Sequence, residues 1–175
     1  MITISIVSHG QIKLCKIIIS QLLKIKLIKK IILTSNIDEN IEFKLNKKIT
    51  LIRNIKPRGF GENHNKAFKL CSTKYFCVLN PDIKLIKNPF NILVKQINNK
   101  TLLVAPQIVN KNLLNEDNAR TFPTPFSIFM KLLFNYKGTY KKVKHDENIY
   151  PDWVAGMFMI FSSRIFTKIK GFDER

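Results

Sequence analysis

The tripeptide Asn80-Pro81-Asp82 interrupts the chain directly after the apolar run Tyr75 to Leu79. Proline restricts φ and has no N–H to continue a ladder, so an aspartate placed just after it projects from a strand end rather than into the core. A hard carboxylate in that place can hold Mg2+ or Mn2+, and a divalent ion so held can bridge the phosphates of a nucleotide. The same three residue types are ordinary in a solvated turn, which is the better account of them in isolation. A second stretch, Gly59-Phe60-Gly61-Glu62-Asn63-His64-Asn65, combines glycines that permit close backbone approach with amides that can both donate and accept. It has no third glycine and no Gly-Lys-Ser/Thr ending, so dinucleotide and P-loop readings lose weight, while a glycine turn at a helix start remains open. His9 and His64 could donate to phosphate oxygens or serve as hydrogen-bonded loop residues. Trp153, beside Asp152 at the mouth of an apolar run, could stack on a sugar ring or seal the core. Cys15, Cys71 and Cys77 lie in apolar surroundings and read as core thiols rather than nucleophiles.

The elements that must position these residues follow from periodicity. Ile2, Ile4 and Ile6 predict a strand ending at Ser8-His9-Gly10, and Ile12, Cys15, Ile18, Ile19, Leu22 and Leu23 predict a helix after it. Ile31 to Leu33 and Ile49 to Ile52 read as further strands, Glu62 to Cys71 as a helix, and Tyr75 to Leu79 as a buried strand. A helix over Pro89 to Ile97 and a strand over Leu102 to Ala105 follow. Strands alternating with helices predict an α/β domain with a mostly parallel central sheet flanked by helices. Ligands of such sheets bind outside the carboxyl ends of the strands, where the polar loops Ser8-His9-Gly10, Ser35-Asn36 and Asn80-Pro81-Asp82 fall. Gln107 to Lys144 reads as an irregular connection with one helix at Ser127 to Phe134, and Lys137 to Asn148 as a mobile loop. Trp153 to Phe161 reads as a single buried strand, followed by a helical turn over Ser163 to Lys168.

The 175 residues are 45% hydrophobic and 24% charged, which suits one globular domain and excludes wholesale disorder. The three cysteines show no C-x-x-C spacing and too few histidine partners for a zinc site. The net charge is +18, from 30 Lys and Arg against 12 Asp and Glu, and only Arg53, Arg58, Arg120, Arg164 and Arg175 are arginines. Lysine, isoleucine and asparagine abound along the whole chain, so the charge reflects a general composition more than a nucleic-acid stripe, and no specific nucleic acid is expected as partner. No segment approaches the length that spans a bilayer, and Met1 to Val7 carries no basic leader. The expected place is cytoplasmic or peripheral at the inner face of the plasma membrane, where anionic lipid would attract a lysine-rich surface.

Taken in order, the blocks Asn54-x-x-Pro-x-Gly59-Phe60-Gly61-x-Asn63-His64-Asn65-x-Ala67, Leu79-Asn80-Pro81-Asp82-Ile83, Arg120-Thr121-Phe122-Pro123, Asp152-Trp153-Val154-Ala155-Gly156 and Gly171-Phe172-Asp173-Glu174-Arg175 closely resemble family 2 glycosyltransferases, with the rhamnosyltransferase-like branch nearest. The resemblance covers nearly the whole chain. It implies a GT-A fold, a nucleotide-diphospho-sugar donor, Mg2+ or Mn2+, and inversion at the anomeric carbon. It also implies transfer of rhamnose or another hexose to a cell-surface glycan or lipid-linked acceptor. Within that picture Asp82 matches the last aspartate of the metal-binding D-x-D motif, with Asn80 in place of its first. Ser8, Ser35, Asn36, Gly59, Gly61, Asn65, Asn80 and Asp82 are the expected nucleotide-sugar residues, and Trp153 and Gly156 lie on the acceptor side.

Two departures qualify the match. Relatives carry an aspartate-asparagine pair after the second strand, where this chain has Ser35-Asn36. Relatives also continue beyond the Gly-Phe-Asp-Glu block to an acidic pair that supplies the general base. Residues 1–175 are therefore expected to form one GT-A domain lacking its C-terminal part, with the base beyond Arg175. Asp152, Asp173 and Glu174 are the nearby carboxylates, and none matches the base position. A donor-binding remnant with impaired transfer and a basic nucleic-acid-binding domain are the competing readings.

Overall fold

A computed structural model describes residues 1–42, 46–116, 118–134 and 148–175. The chain divides into two compact units, Met1–Pro106 with Gly156–Arg175, and Gln107–Ala155.

In the first unit, β1 (Ile2–Ser8), β2 (Ile28–Ser35), β3 (Ile49–Arg53) and β4 (Tyr75–Leu79) pair in parallel. The helices α1 (Ile12–Leu22), α2 (Phe60–Phe68) and α3 (Phe90–Gln96) intervene, and β5 (Leu103–Val104) follows. In the second unit lie β6 (Ala119–Arg120), α4 (Pro125–Phe134) and β7 (Trp153–Val154), after which β8 (Phe158–Ser162) and α5 (Ser163–Lys168) return to the first. The main sheet has six strands in the order β3-β2-β1-β4-β8-β5, with β8 antiparallel to both of its neighbours. This is the mostly parallel α/β sheet that the alternation of strands and helices predicts.

The alternation in β1 decides its place at the centre. Ile2, Ile4 and Ile6 are fully buried, and so are Thr3 and Ser5 between them. A strand covered on both faces must find partners for its polar side chains. Thr3 Oγ1 meets Thr73 Oγ1 at 2.9 Å, and Ser5 Oγ meets His64 Nδ1 of α2 at 2.8 Å. Helix α1 buries Cys15, Ile18, Ile19 and Leu22, the spacing of one helical face. Under α5, Phe166 packs against Phe68, Phe76 and Phe161 with ring centroids 4.5 to 5.0 Å apart. Fully burying one such side chain contributes roughly 1.5–3 kcal/mol.

Some boundaries differ from those the sequence suggests. Strand β2 begins at Ile28, three residues early, because Lys29 points to solvent and Lys30 Nζ donates to the Leu70 carbonyl at 3.0 Å. Helix α2 begins at Phe60 and stops at Phe68. The stretch from Trp153 to Phe161 is not one buried strand. Trp153 and Val154 pair with Arg120 and Ala119 in a separate two-stranded sheet, and the chain breaks at Gly156 before β8 enters the core. Cys71 is half-buried, whereas Cys15 and Cys77 are core. The loop expected at Lys137 to Asn148 falls, up to Glu147, outside the described residues.

Candidate functional site

Because β1 to β4 are parallel, their carboxyl ends share one edge of the sheet. That edge carries Ser8, Ser35-Asn36, Arg53-Asn54 and Asn80-Pro81-Asp82. The antiparallel β8 brings its amino end there too: Leu79 pairs with Phe158, and the Asn80 N–H donates to the Met157 carbonyl at 2.9 Å. The stretch starting at Gly156 thereby runs beside the Asn80 turn.

Three asparagines lock the loops of β1, β2 and β3 to the start of α2. The Asn36 N–H donates to the Ser8 carbonyl at 2.8 Å and the Asn54 N–H to the Ser35 carbonyl at 3.0 Å. Asn36 Oδ1 accepts from the Arg58 N–H at 2.8 Å, from Asn54 Nδ2 at 2.9 Å and from Asn63 Nδ2 at 3.1 Å. Asn36 Nδ2 donates to the Arg58 carbonyl at 3.0 Å and lies 3.2 Å from His9 Nδ1. Asn63 Oδ1 accepts from Asn54 Nδ2 at 2.7 Å, its own amide reaches the Arg58 and Gly59 carbonyls, and Lys66 Nζ caps Asn54 Oδ1 at 3.0 Å. Asn36 and Asn63 are buried, so these bonds replace water for amides that could not otherwise leave it. Asn36 thus shapes the edge rather than offering a free amide to it.

Glu39, which the sequence reading does not single out, fixes the β1 loop. Gln11 makes no side-chain cap at the start of α1. Instead Glu39 Oε1 accepts from the Ile12 N–H at 3.1 Å and from Ser8 Oγ at 3.0 Å, while Ser8 Oγ accepts from the Gln11 N–H at 3.2 Å. A carboxylate suits a helix N-terminus, where unpaired N–H groups carry partial positive charge. Ser35 Oγ closes the intervening turn on the Ile37 carbonyl at 2.8 Å. Glu39→Ala should therefore cost about 1–2 kcal/mol, seen as a lower midpoint in urea unfolding, and Glu39→Gln should recover part of it. Beneath this cap, burial pushes the Cys15 thiol up to about 11, so it stays protonated and inert at neutral pH.

Asp82 stands apart from these networks. Pro81 before it is buried, Asn80 is half-buried, and the Ile83 N–H turns back to the Asn80 carbonyl at 3.4 Å. The Asp82 side chain is exposed, and no partner is recorded for it among the described residues. No group of three or more His, Cys, Asp or Glu able to enclose a metal occurs among the described residues. One free carboxylate fits the manner in which Mg2+ is commonly held, by one or two carboxylates together with water and substrate phosphate oxygens rather than by an all-protein cage.

The glycines and Asn65 sort by what surrounds them. Gly59, in extended conformation before α2, has open space where a Cβ would stand. At Gly61 a Cβ would come 2.9 Å from Phe172 Cβ and 3.0 Å from the Asp173 carbonyl oxygen, and at Gly156 it would come 2.6 Å from the Phe60 ring. Gly59 alone of these leaves room for a ligand; Gly61 and Gly156 admit neighbouring chain. Asn65 Oδ1 accepts from the Phe172 N–H at 2.9 Å, and its Nδ2 donates to the Phe172 carbonyl at 2.9 Å and to Glu174 Oε1 at 2.8 Å. Gly171, at φ +79°, has its would-be Cβ 2.2 Å from Asn65 Oδ1. Gly171→Ala combines an unfavourable backbone region with that clash and should lower stability by roughly 1–3 kcal/mol, read from thermal melts.

The remaining candidates are engaged elsewhere. His64 is buried between Ser5 and the rings of Phe60 and Phe172, and burial drives its pKa down to about 3. It is a neutral core residue and cannot reach a phosphate, whereas His9 is exposed at the edge. The Arg175 guanidinium, bonded to Asp173, lowers that carboxyl's pKa. Arg58, in the loop before α2, forms an ion pair with Glu62 in the first turn of that helix. In the second unit, Asp152 Oδ2 accepts from the Phe122 N–H at 2.8 Å, and the Arg120 guanidinium lies 5.1 Å from the centroid of the Trp153 ring. Ser8, Ser35, Asn36, Gly59, Asn80 and Asp82 are gathered at one sheet edge; Gly61 and Asn65 hold the Gly171–Glu174 turn, and Asp152 and Trp153 belong to the other unit.

A doubly wound sheet with one antiparallel insertion and its polar loops at the carboxyl edge is the architecture of a GT-A glycosyltransferase. A solved structure with this fold, the mannosyltransferase PcManGT from Pyrobaculum calidifontis in complex with GDP-Man and Mn2+, superposes with a TM-score of 0.58 at 9% identity, over 99% of this chain and 47% of that one. The sequence profile of glycosyl transferase family 2 matches residues 34–166, and the chain belongs to that family. The rhamnosyltransferase WbbL of Escherichia coli (strain K12) is 26% identical over 130 residues, covering 66% of this chain and 48% of that protein. The chain thus spans about half the length of the relatives it matches.

Proposed function

We propose that this chain carries the donor-binding part of a glycosyltransferase that moves rhamnose or another hexose from a nucleotide-diphospho-sugar to a glycan or lipid-linked acceptor. The observation that carries the reading is the free Asp82 carboxylate at the end of buried β4, on an edge whose other loops are locked in place. Mg2+ or Mn2+, when bound, would supply positive charge to the diphosphate leaving group. Asp82 would hold that ion, and the Asn80 turn would set the height of the carboxylate above the sheet. Gly59 would let backbone approach the donor, and the Asn36-Asn54-Asn63 lock would keep the edge from collapsing when the donor is absent. Such preorganisation lowers the reorganisation needed on binding.

Displacement with inversion requires a base on the acceptor hydroxyl. Asp152, Asp173 and Glu174 each spend their carboxylate on a neighbour, so none is assigned that role. The two units are read as parts of one transferase domain, and the lysine-rich surface as peripheral to an anionic membrane that carries the acceptor.

Calorimetric titration with a panel of nucleotide sugars and nucleoside diphosphates, in Mn2+ or Mg2+ and then in chelator, tests the donor reading. Selective, metal-dependent binding is expected. No binding by the folded chain, or binding indifferent to metal, would overturn it.

A further inference from the structure

We propose that α4 docks the protein on an anionic lipid surface, its apolar side chains lying among the acyl chains at the bilayer interface. This extends the membrane-contact part of the proposed function and rests on it. Helix α4 buries none of its residues. Phe126 is 72% exposed, Leu132 81% and Phe134 69%, with Ile128, Phe129 and Leu133 also exposed. Only Ser127 and Lys131, one turn apart, interrupt this surface with polar groups. An uncovered cluster of this size on a water-soluble surface marks an interaction site.

Charge selects the occupant. Lys131 lies on the helix itself, α4 carries no aspartate or glutamate, and the chain as a whole is strongly cationic. A second copy would bring the same positive charge against its own, within a chain already at +18. A nucleic acid would satisfy the lysines and leave the phenylalanines in water. An anionic bilayer satisfies both, with phosphate headgroups for the ammonium groups and hydrocarbon for the rings. No helix among the described residues is long and apolar enough to cross a membrane, so α4 would lie in the interface plane.

The test is flotation of the full chain with vesicles of phosphatidylglycerol and phosphatidylcholine, against phosphatidylcholine alone. Wild type is expected to float with the anionic vesicles only, and Phe129→Ser with Leu132→Ser to lower the partition coefficient at least tenfold. Both side chains are exposed, so the melting temperature should not move; Leu132→Trp provides a second readout through quenching by brominated lipid beyond that of Trp153. Nucleotide-sugar titration of the same double variant without vesicles separates this proposal from the donor reading and should give wild-type affinity. No flotation of wild type, flotation unchanged in the double variant, or a wild-type dimer that the double variant dissociates without vesicles would each overturn the proposal.

Discussion

Asp82→Asn should weaken metal-dependent binding of a nucleotide sugar by on the order of 100-fold while leaving the melting temperature unchanged. The two halves of this expectation have different causes. Once a bound metal and donor cover Asp82 and exclude water from it, loss of one partner from that charge pair costs about 2–5 kcal/mol, and each 1.4 kcal/mol is a factor of ten in affinity. Asparagine keeps the size of the side chain and one acceptor oxygen but removes the charge that holds a divalent cation. The fold should not register the change, because Asp82 is exposed and no partner is recorded for it among the described residues. Titration of both proteins with and without Mn2+ measures the first half and calorimetric melting the second. Equal affinities in Mn2+ would mean that the metal, if used, is held elsewhere. A drop in melting temperature would mean that Asp82 belongs to the turn's own structure.

The variants that touch the loops should behave in the opposite way. Asn36 and Asn63 are spent on one another and on backbone groups, and Glu39 on α1 and Ser8. Substitutions there act first on stability and only through it on the donor. This division, a free carboxylate on locked loops, allows the site residue to be altered without disturbing the scaffold.

The scaffold was legible where a residue's neighbours lie close in sequence. Ile2, Ile4 and Ile6, the α1 face through Leu22, and the apolar run ended by Asn80-Pro81-Asp82 each carry their own period or punctuation, and each is found where that pattern puts it. The break at Gly156 was not legible, because Trp153 to Phe161 is uniformly apolar and only the pairing partners of each half, Arg120 and Ala119 against Val78 and Leu79, separate them. The asparagines of the edge could be named as polar loop residues, but their mutual bonds join positions 36, 54 and 63, which no local pattern connects. Asn65 is the extreme case: its amide is used by Phe172 and Glu174, which only the folded chain brings within reach. Glu39 left one faint signal, an acid shortly after a strand end where α1 lacks a capping residue of its own.

Acidification should destabilise the protein through His64 by about 2 kcal/mol between pH 7 and pH 5. His64 has an ordinary value of 6.5 in the unfolded chain and about 3 in the folded one, because desolvation opposes its charged form. As pH falls through 6.5 the unfolded chain takes up a proton at this ring and the native chain does not, so the unfolded state gains. The stability that a neutral His64 contributes is complete above pH 6.5 and is lost progressively as pH falls toward 3. Where only the unfolded state is protonated, the slope approaches 1.4 kcal/mol per pH unit. Lysine repulsion and the carboxylates also respond to acid, so a difference measurement is needed. Urea unfolding of wild type and His64→Gln at pH 7, 6 and 5 supplies it. Glutamine can keep a hydrogen bond to Ser5 Oγ but has no proton to gain, so its curve should be flatter by about 2 kcal/mol over that range. Parallel curves for the two proteins would show that the ring takes up its proton in the folded state as readily as in the unfolded one, and that the packing of Phe60, Phe172 and Ser5 around it opens in acid.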